Sequence, residues 1–219
     1  MSTQVATIEY PDSDGKPMAE NTLQYEWIVT VKGNLEALFA DDPRVFVAGD
    51  NLIYPKQLNP KVSRAPDVYV VFGRPKGYRG SYKVWDEAGI FPQVVFEILS
   101  PGNTHNEMRK KLKFYSRYGA EEYYVIDPND KTLEIWQREG DRLVPQPFPD
   151  SYTSFRLGVR FERTTDELVL YKPNGVRFLS FLELSQRADE ETARADNAQS
   201  RADRLAAKLR SLGIDPETV

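Results

Sequence analysis

Cysteine is absent from this 219-residue chain, so disulfide bonds and thiolate metal sites are excluded and a reducing, cytoplasmic environment is expected. No stretch approaches the roughly 18 consecutive apolar residues of a membrane span. The N-terminal residues lack the basic and apolar regions of a signal peptide. A net charge of −4 argues against a protein that coats nucleic acid in general. Any nucleic-acid binding must therefore come from a local basic patch.

The order of apolar patterns predicts an α/β domain, α+β-like, with a mixed sheet. Apolar residues at helical spacing predict a first helix over 23–39. Thr104 followed by Glu107 matches a capping box and predicts a second helix that runs to about Tyr118 and ends at Gly119. Short β-branched and aromatic runs between turn residues predict strands at 45–49, 51–55, 67–72, 82–85, 93–100, 122–127, 133–137, 142–146, 154–159 and 167–171. This order implies antiparallel hairpins beside a strand–helix–strand unit, with helices on the faces of the sheet.

The two ends of the chain differ from its middle. Residues 1–20 are polar and predict a loose arm with one short strand at 7–10, followed by the main domain at 21–180. In the tail, 181–219, Arg-Ala-Asp recurs with a period of seven at 187, 194 and 201. This spacing predicts a C-terminal helix with an alanine seam, as in a coiled coil. A solvated helix is the alternative, because an alanine seam buries little area.

One acidic residue lies inside an apolar strand. Glu97 is flanked by Val94, Val95 and Phe96 on one side and by Ile98 and Leu99 on the other. A buried carboxylate without a partner is strongly unfavourable, so a cation should face it. Lys111 lies on the inward stripe of the second helix and is the natural partner. A structural ion pair is the alternative to a catalytic role.

A second carboxylate suggests a metal site. Asp67 follows Pro66 and opens an otherwise apolar strand, although an exposed turn residue explains it equally well. Asp67 and Glu97 together supply the oxygen ligands that Mg²⁺ prefers beside a substrate phosphate, with Mn²⁺ as a substitute. Lys111 would then position or activate water and stabilise charge on the phosphate. We expect the three side chains to converge on a single metal at one edge of the sheet.

These residues carry a family resemblance. Pro66-Asp67 with Glu97 resembles the PD-(D/E)XK nuclease pattern, and residues 96–128 closely resemble the Uma-type restriction-endonuclease family. The segments at 49–55, 65–73 and 81–87 match the same family. The resemblance implies a restriction-endonuclease-like core, a metal-dependent DNA endonuclease with Asp67, Glu97 and Lys111 as catalytic residues, and a homodimer.

The chain departs from the superfamily pattern at one position. The residue two places after the strand acid should be lysine, but it is Leu99. The resemblance moves this lysine to the following helix, at Lys111. A further acid often comes from the first helix in this superfamily, and Glu26 or Glu36 could serve.

Basic residues cluster on the segments that border the predicted site. Such a local arrangement suits phosphate contacts, although ordinary solvation explains it as well. The DNA-binding candidates are Arg64, Arg74, Lys76, Arg79, Lys83, Arg109 and Lys110. Tyr78 and Tyr82 could stack on bases or anchor their loop. The alternatives to an endonuclease are a catalytically silent nuclease fold that binds nucleic acid, and an interaction module that binds a protein partner through the tail.

Overall fold

The computed structural model describes residues 8–15, 17–213 and 215–216. The chain divides into two units, Met1–Phe178 and Leu179–Val219. Within the described ranges there are three helices, α1 (Thr22–Leu38), α2 (His105–Tyr118) and α3 (Phe181–Ser211). The strands are β1 (Val45–Ala48), β2 (Ile53–Tyr54), β3 (Val68–Phe72), β4 (Tyr82–Lys83), β5 (Val94–Ile98), β6 (Glu122–Asp127), β7 (Thr132–Glu139), β8 (Arg142–Gln146), β9 (Ser151–Thr153), β10 (Arg160–Arg163) and β11 (Leu168–Tyr171).

A six-stranded mixed sheet forms the centre of the first unit, in the order β1-β3-β5-β6-β7-β8. β5 and β6 run parallel, joined through α2, and the other neighbours are antiparallel. All five residues of β5 are buried, as expected for a central strand covered on both faces. The predicted mixed α/β fold is confirmed.

The two faces of the central sheet pack against different elements. Phe96 faces α1 and the three-stranded sheet β9–β11, in a core that includes Ile28. Val95 faces α2 and the short β2–β4 pair, in a core that includes Tyr115. Because side chains alternate along a strand, Glu97 lies on the same face as Val95. The strand acid therefore points toward α2.

The helix boundaries follow the sequence signals. The Asn21 side chain accepts a hydrogen bond from the Gln24 N–H at the start of α1. Thr104 does the same for Glu107 in α2, although the reciprocal bond of a capping box is not formed at this described helix start. Gly119 ends α2 with a left-handed φ of 115°, a conformation that glycine adopts without steric cost. The first two predicted helices agree with the structure to within one residue.

Two predicted strands do not form over the residues that the structure describes. Residues 154–159 form the connection between β9 and β10 rather than a strand. The buried Glu122 carboxylate accepts hydrogen bonds from the Ser154 hydroxyl (2.6 Å) and the Phe155 N–H (3.0 Å). These bonds bend the chain away from the ladder. The short strand predicted at 7–10 does not form over 8–10, and Thr7 lies outside the described residues.

The second unit is the long helix α3. It begins with a full capping box, in which Ser180 and Glu183 satisfy each other's backbone N–H groups. None of its described residues is buried, so its alanine face lies open in the single chain. No helix in the part of the chain that the structure describes is long and apolar enough to cross a membrane.

Candidate active site

The pairing of β3 with β5 brings the two predicted carboxylates together. Val68 lies opposite Phe96 in this antiparallel ladder, and the next step of the same register sets Asp67 opposite Glu97. Opposite residues share a face, so both side chains point toward α2. The Ile98 N–H donates a hydrogen bond to Asp67 Oδ2 (2.6 Å). This bond fixes the Asp67 carboxyl beside the strand that carries Glu97.

Helix α2 supplies two donors to the Glu97 carboxylate, which is only 1% exposed. Lys111 Nζ donates to Glu97 Oε2 (2.7 Å), and the Tyr115 hydroxyl donates to Oε1 (2.7 Å). Residues four apart lie on one helix face, which is why Lys111 and Tyr115 reach the same group. The ion pair is therefore observed, and its use in metal binding stays a prediction. Tyr115 was not among the residues predicted for the site, although its position four residues after Lys111 could have indicated this contact.

The electrostatics of the site are dominated by burial. Burial, followed by the neighbouring charge of Glu97, raises the pKa of Asp67 from 3.8 to about 8, against the opposing effects of the Ile98 N–H and Lys111. Burial lowers the pKa of Lys111, but the charge and hydrogen bond of Glu97 outweigh it, so the net shift is upward. Without a metal, the fold therefore favours the protonated form of Asp67 and the charged form of Lys111.

Gly49, just after β1, allows the chain to lie directly against the backbone of Asp67. A Cβ atom built on Gly49 would lie 2.0 Å from the Asp67 carbonyl oxygen, which is far inside van der Waals contact. The next residue, Asp50, donates its N–H to the Pro66 carbonyl (2.9 Å). The absence of a side chain at position 49 therefore determines how β3 begins and where Asp67 lies.

Substitution Gly49→Ala should displace the start of β3 and with it Asp67. We expect a loss of about 1–3 kcal/mol in the free energy of unfolding, as for other overpacked sites, together with reduced DNA cleavage. Gly33→Ala is the matched control, because Gly33 lies in α1 with open space around it, and alanine there should stabilise by about 0.5–1 kcal/mol. Urea unfolding measures both. Equal midpoints for Gly49→Ala and the wild type would contradict this account of the backbone contact.

A cavity of about 480 Å³ opens above Asp67 and Lys111. Its walls come from the N-terminal segment, the β1–β2 loop, residues 61–65 and the start of α2. Glu97 does not line the cavity; it lies beneath Lys111, whose side chain is 16% exposed. The cavity gives a substrate access to Asp67 and Lys111 but not directly to Glu97.

Two of the predicted DNA-binding residues line this cavity. Arg64 and Lys110 do so, together with Lys61, and their role in phosphate binding stays a prediction. Arg109 is exposed on α2 and does not line the cavity. Lys83 lies 5.3 Å from the centre of the Tyr10 ring.

The other predicted DNA-binding residues hold the 74–80 loop together. Arg74 (2.7 Å) and Arg79 (2.5 Å) both form ion pairs with Glu87. Lys76 donates to two carbonyls just after α1. Within the same loop region, Tyr82 is fully buried, whereas Tyr78 is 95% exposed. Arg74, Lys76 and Arg79 thus each donate hydrogen bonds within the fold, and their use in DNA binding stays a prediction.

The predicted first-helix acids lie away from the cavity. Glu26 is exposed, and Glu36 forms an ion pair with Lys32 on the surface of α1. Glu20, just before the helix, and Gln24, within it, do line the cavity. Gln24 is buried and donates from Nε2 to the Ile98 carbonyl (2.8 Å). In the sequence, only the position of Gln24 within the first helix could have indicated that it reaches the cavity.

The oxygen ligands available in this site suit a hard cation that takes only a few of its ligands from the protein. Among the described residues, no group of three or more acidic, histidine or cysteine side chains is placed to hold a metal. Asp67 and Glu97 nevertheless provide two carboxylates, and the charge of Glu97 is close enough to raise the pKa of Asp67. Mg²⁺ commonly binds one or two carboxylates and completes its shell with water and substrate phosphate. Asp67 and Glu97 would be the residues that hold it.

Comparison with known proteins gives a family. A family model named Uma2 and described as "Putative restriction endonuclease" matches residues 8–173. No curated protein matches the chain. Solved structures that match include one described as a "putative nuclease belonging to DUF820" from Anabaena variabilis ATCC 29413, at 18% identity and a TM-score of 0.41, over 60% of this chain and 75% of that chain. The family model covers most of the chain, which therefore belongs to the Uma2 family.

Proposed function

We propose that the protein is a Mg²⁺-dependent endonuclease that hydrolyses phosphodiester bonds in DNA. The observation that carries this proposal is the convergence of Asp67, Glu97 and Lys111 beneath one solvent-accessible cavity. Asp67 and Glu97 would bind the cation, with Mn²⁺ as a substitute. A bound cation would supply Lewis-acid stabilisation of charge on the phosphate and lower the pKa of a bound water.

The protonation state of Lys111 limits its role. Because its pKa is raised, Lys111 stays positively charged at neutral pH and is a poor general base. It is suited to donate hydrogen bonds that orient the attacking water and stabilise negative charge on the phosphate. Glu97 and Tyr115 hold this helix face in place. Lys61, Arg64 and Lys110, along the cavity wall, are suited to hold neighbouring phosphates.

Incubation of the full-length protein with plasmid and oligonucleotide DNA tests the proposal. Cleavage should require Mg²⁺ or Mn²⁺, stop on addition of a chelator, and be lost in Asp67→Ala and Glu97→Gln. Asp130→Asn, an exposed turn residue, is the control that should cleave as the wild type does. Equal cleavage by all four proteins would remove the proposed site.

A catalytically silent nucleic-acid-binding protein is the second candidate. It is favoured by one observation, that both oxygens of Glu97 already have donors from Lys111 and Tyr115. Calorimetric titration of Mg²⁺ and Mn²⁺ into wild type and Asp67→Ala separates the two candidates. If the wild type binds DNA but neither cation, the protein is a catalytically silent nucleic-acid-binding protein.

We also infer a homodimer, for which the open alanine face of α3 supplies a surface. Leu205 and Leu212 are exposed at its C-terminal end and would be covered in a helix pair. Light scattering on the full chain should give twice the mass of one chain, and Leu205→Lys should lower it. A monomeric wild type would contradict the inference.

A further inference from the structure

The two oxygens of the Glu97 carboxylate have donors in different surroundings. Tyr115, which donates to Oε1, is fully buried, and its ring packs against those of Phe114 (5.5 Å between ring centroids) and Tyr123 (5.2 Å). Lys111, which donates to Oε2, is partly exposed and lines the cavity. The Tyr115 hydroxyl can therefore move only with its packed ring, whereas the Lys111 ammonium has space to turn into the cavity.

This difference decides which oxygen of Glu97 is available to a cation. Glu97 does not line the cavity, so a cation that enters from there reaches the carboxylate past Lys111, and the two positive charges repel each other. If Lys111 leaves Oε2, Glu97 exchanges one positive partner for another. If Tyr115 left Oε1, its buried hydroxyl would lose its partner, which is unfavourable. Oε2 is therefore the oxygen that Glu97 can most readily give to a cation.

The Tyr115 hydrogen bond also fixes the orientation of the carboxyl group. The last torsion of a glutamate side chain has a broad, roughly two-fold preference, so an unheld carboxyl group could present either oxygen or both. The bond to Oε1 (2.7 Å) removes this freedom before a cation arrives. Asp67 is held in a similar way, because the Ile98 N–H donates to its Oδ2 (2.6 Å). Each acid of the site thus has one oxygen that is fixed by a donor from the fold.

We propose that Tyr115 is a positioning residue for metal binding: its hydroxyl holds Glu97 Oε1, so that Oε2 takes the cation when Lys111 turns toward the substrate phosphate. This rests on the proposed nuclease function of the same site. Tyr115 is fully buried and touches neither the cation nor the DNA. Groups that orient metal ligands in this way typically contribute a factor of about 10–100 in metal affinity or activity.

Tyr123 provides a matched comparison for Tyr115. It lies opposite Val95 on the same face of the sheet, is only 1% exposed and packs against the Tyr115 ring. Its hydroxyl, however, has no hydrogen-bond partner among the residues that the structure describes. Tyr115→Phe and Tyr123→Phe therefore remove the same atom from two neighbouring buried rings, and only Tyr115→Phe removes a hydrogen bond to Glu97.

Calorimetric titration of Mn²⁺ into the full-length wild type, Tyr115→Phe and Tyr123→Phe tests the proposal. We expect Tyr115→Phe to bind Mn²⁺ about 10–100-fold more weakly than the wild type and Tyr123→Phe to bind it equally well. Circular dichroism establishes that each protein is folded during the titration, so that a loss of stability alone leaves the affinity unchanged. If Tyr115→Phe unfolds, all three proteins are compared with the stabilising substitution Gly33→Ala added. Equal affinities of folded Tyr115→Phe and the wild type would overturn the proposal.

DNA cleavage by the same proteins separates this proposal from the nuclease function. Tyr115→Phe should need about 10–100-fold more Mn²⁺ for its half-maximal rate, whereas Tyr123→Phe should need as much as the wild type. An unchanged Mn²⁺ requirement in Tyr115→Phe overturns the role of Tyr115 and leaves the nuclease function standing. A wild type that binds Mn²⁺ but cleaves no DNA removes the nuclease function, and the affinities of the two variants then decide the proposal. A wild type that binds no Mn²⁺ overturns both.

Discussion

Replacing Asp67 by asparagine should abolish DNA cleavage and at the same time stabilise the metal-free protein. Loss of a metal-binding carboxylate removes several kcal/mol of transition-state stabilisation, a factor of at least about a hundred in rate. The stability gain has a different cause. The folded protein raises the pKa of Asp67 from 3.8 to about 8, chiefly by burial and then by the charge of Glu97. Folding therefore disfavours the ionised form of this residue.

The sign of the pH dependence follows from proton counting. Between pH 3.8 and about 8, the folded state binds more protons at Asp67 than the unfolded state, so stability falls as pH rises through this window. The full pKa difference would correspond to about 6 kcal/mol as an upper limit. Solvent in the cavity reduces it, and we expect a gain of about 2–4 kcal/mol for Asp67→Asn near pH 8. An asparagine oxygen can still accept the Ile98 N–H, so the geometry is retained.

Urea unfolding in the presence of a chelator, at about pH 5.5 and about pH 8.5, measures this effect. The gain of Asp67→Asn over wild type should be larger at the higher pH, whereas Asp130→Asn should change little at either. An Asp67→Asn protein that is less stable than wild type at the higher pH would refute the proposed burial of charge. The same proton explains why metal affinity should increase with pH, because a cation must displace it.

Physical constraints in the sequence predict part of this site well. An acid inside an apolar strand needs a cation, and the helical stripe selects Lys111 from several lysines in α2; the observed Glu97–Lys111 pair follows from those two facts. Asp67 has no such constraint, because a carboxylate after Pro66 suits an exposed turn equally well. Its place opposite Glu97 depends on the strand register, which neither the residue pattern nor the resemblance gave; the resemblance only named Asp67 as a site residue.

What the sequence could not predict are contacts that no local spacing rule joins. Arg79 forms an ion pair with Glu87, eight residues further along the chain, and neither helical nor strand spacing predicts that pair. Glu20 is an ordinary polar residue of an arm until Ser100 donates to it from a loop 80 positions away. The strand expected at 154–159 failed for the same reason, because the buried Glu122 lies on a different element. Local propensity contains no information about such partners.

Removing Lys111 should separate the structural from the catalytic role of its ion pair. Lys111→Met leaves the Glu97 carboxylate buried without its cation, and breaking a buried pair in this way typically costs about 3–5 kcal/mol. Lys113→Met, on the exposed side of the same helix, should cost little. The double variant Glu97→Gln/Lys111→Met removes both charges and should recover most of the lost stability, since two neutral side chains of similar size replace a desolvated pair.

The double variant distinguishes a structural from a catalytic role of the ion pair, because the two roles predict different rates of DNA cleavage. If Glu97 and Lys111 serve only the fold, the double variant should be stable and cleave DNA at close to the wild-type rate. If they act on the metal and the phosphate, it should be stable and inactive, with a rate lower by a factor of at least about a hundred. Thermal unfolding and cleavage measured on the same four proteins give the answer. We expect recovered stability without recovered cleavage, because Lys111 lines the cavity and Glu97 lies directly beneath it.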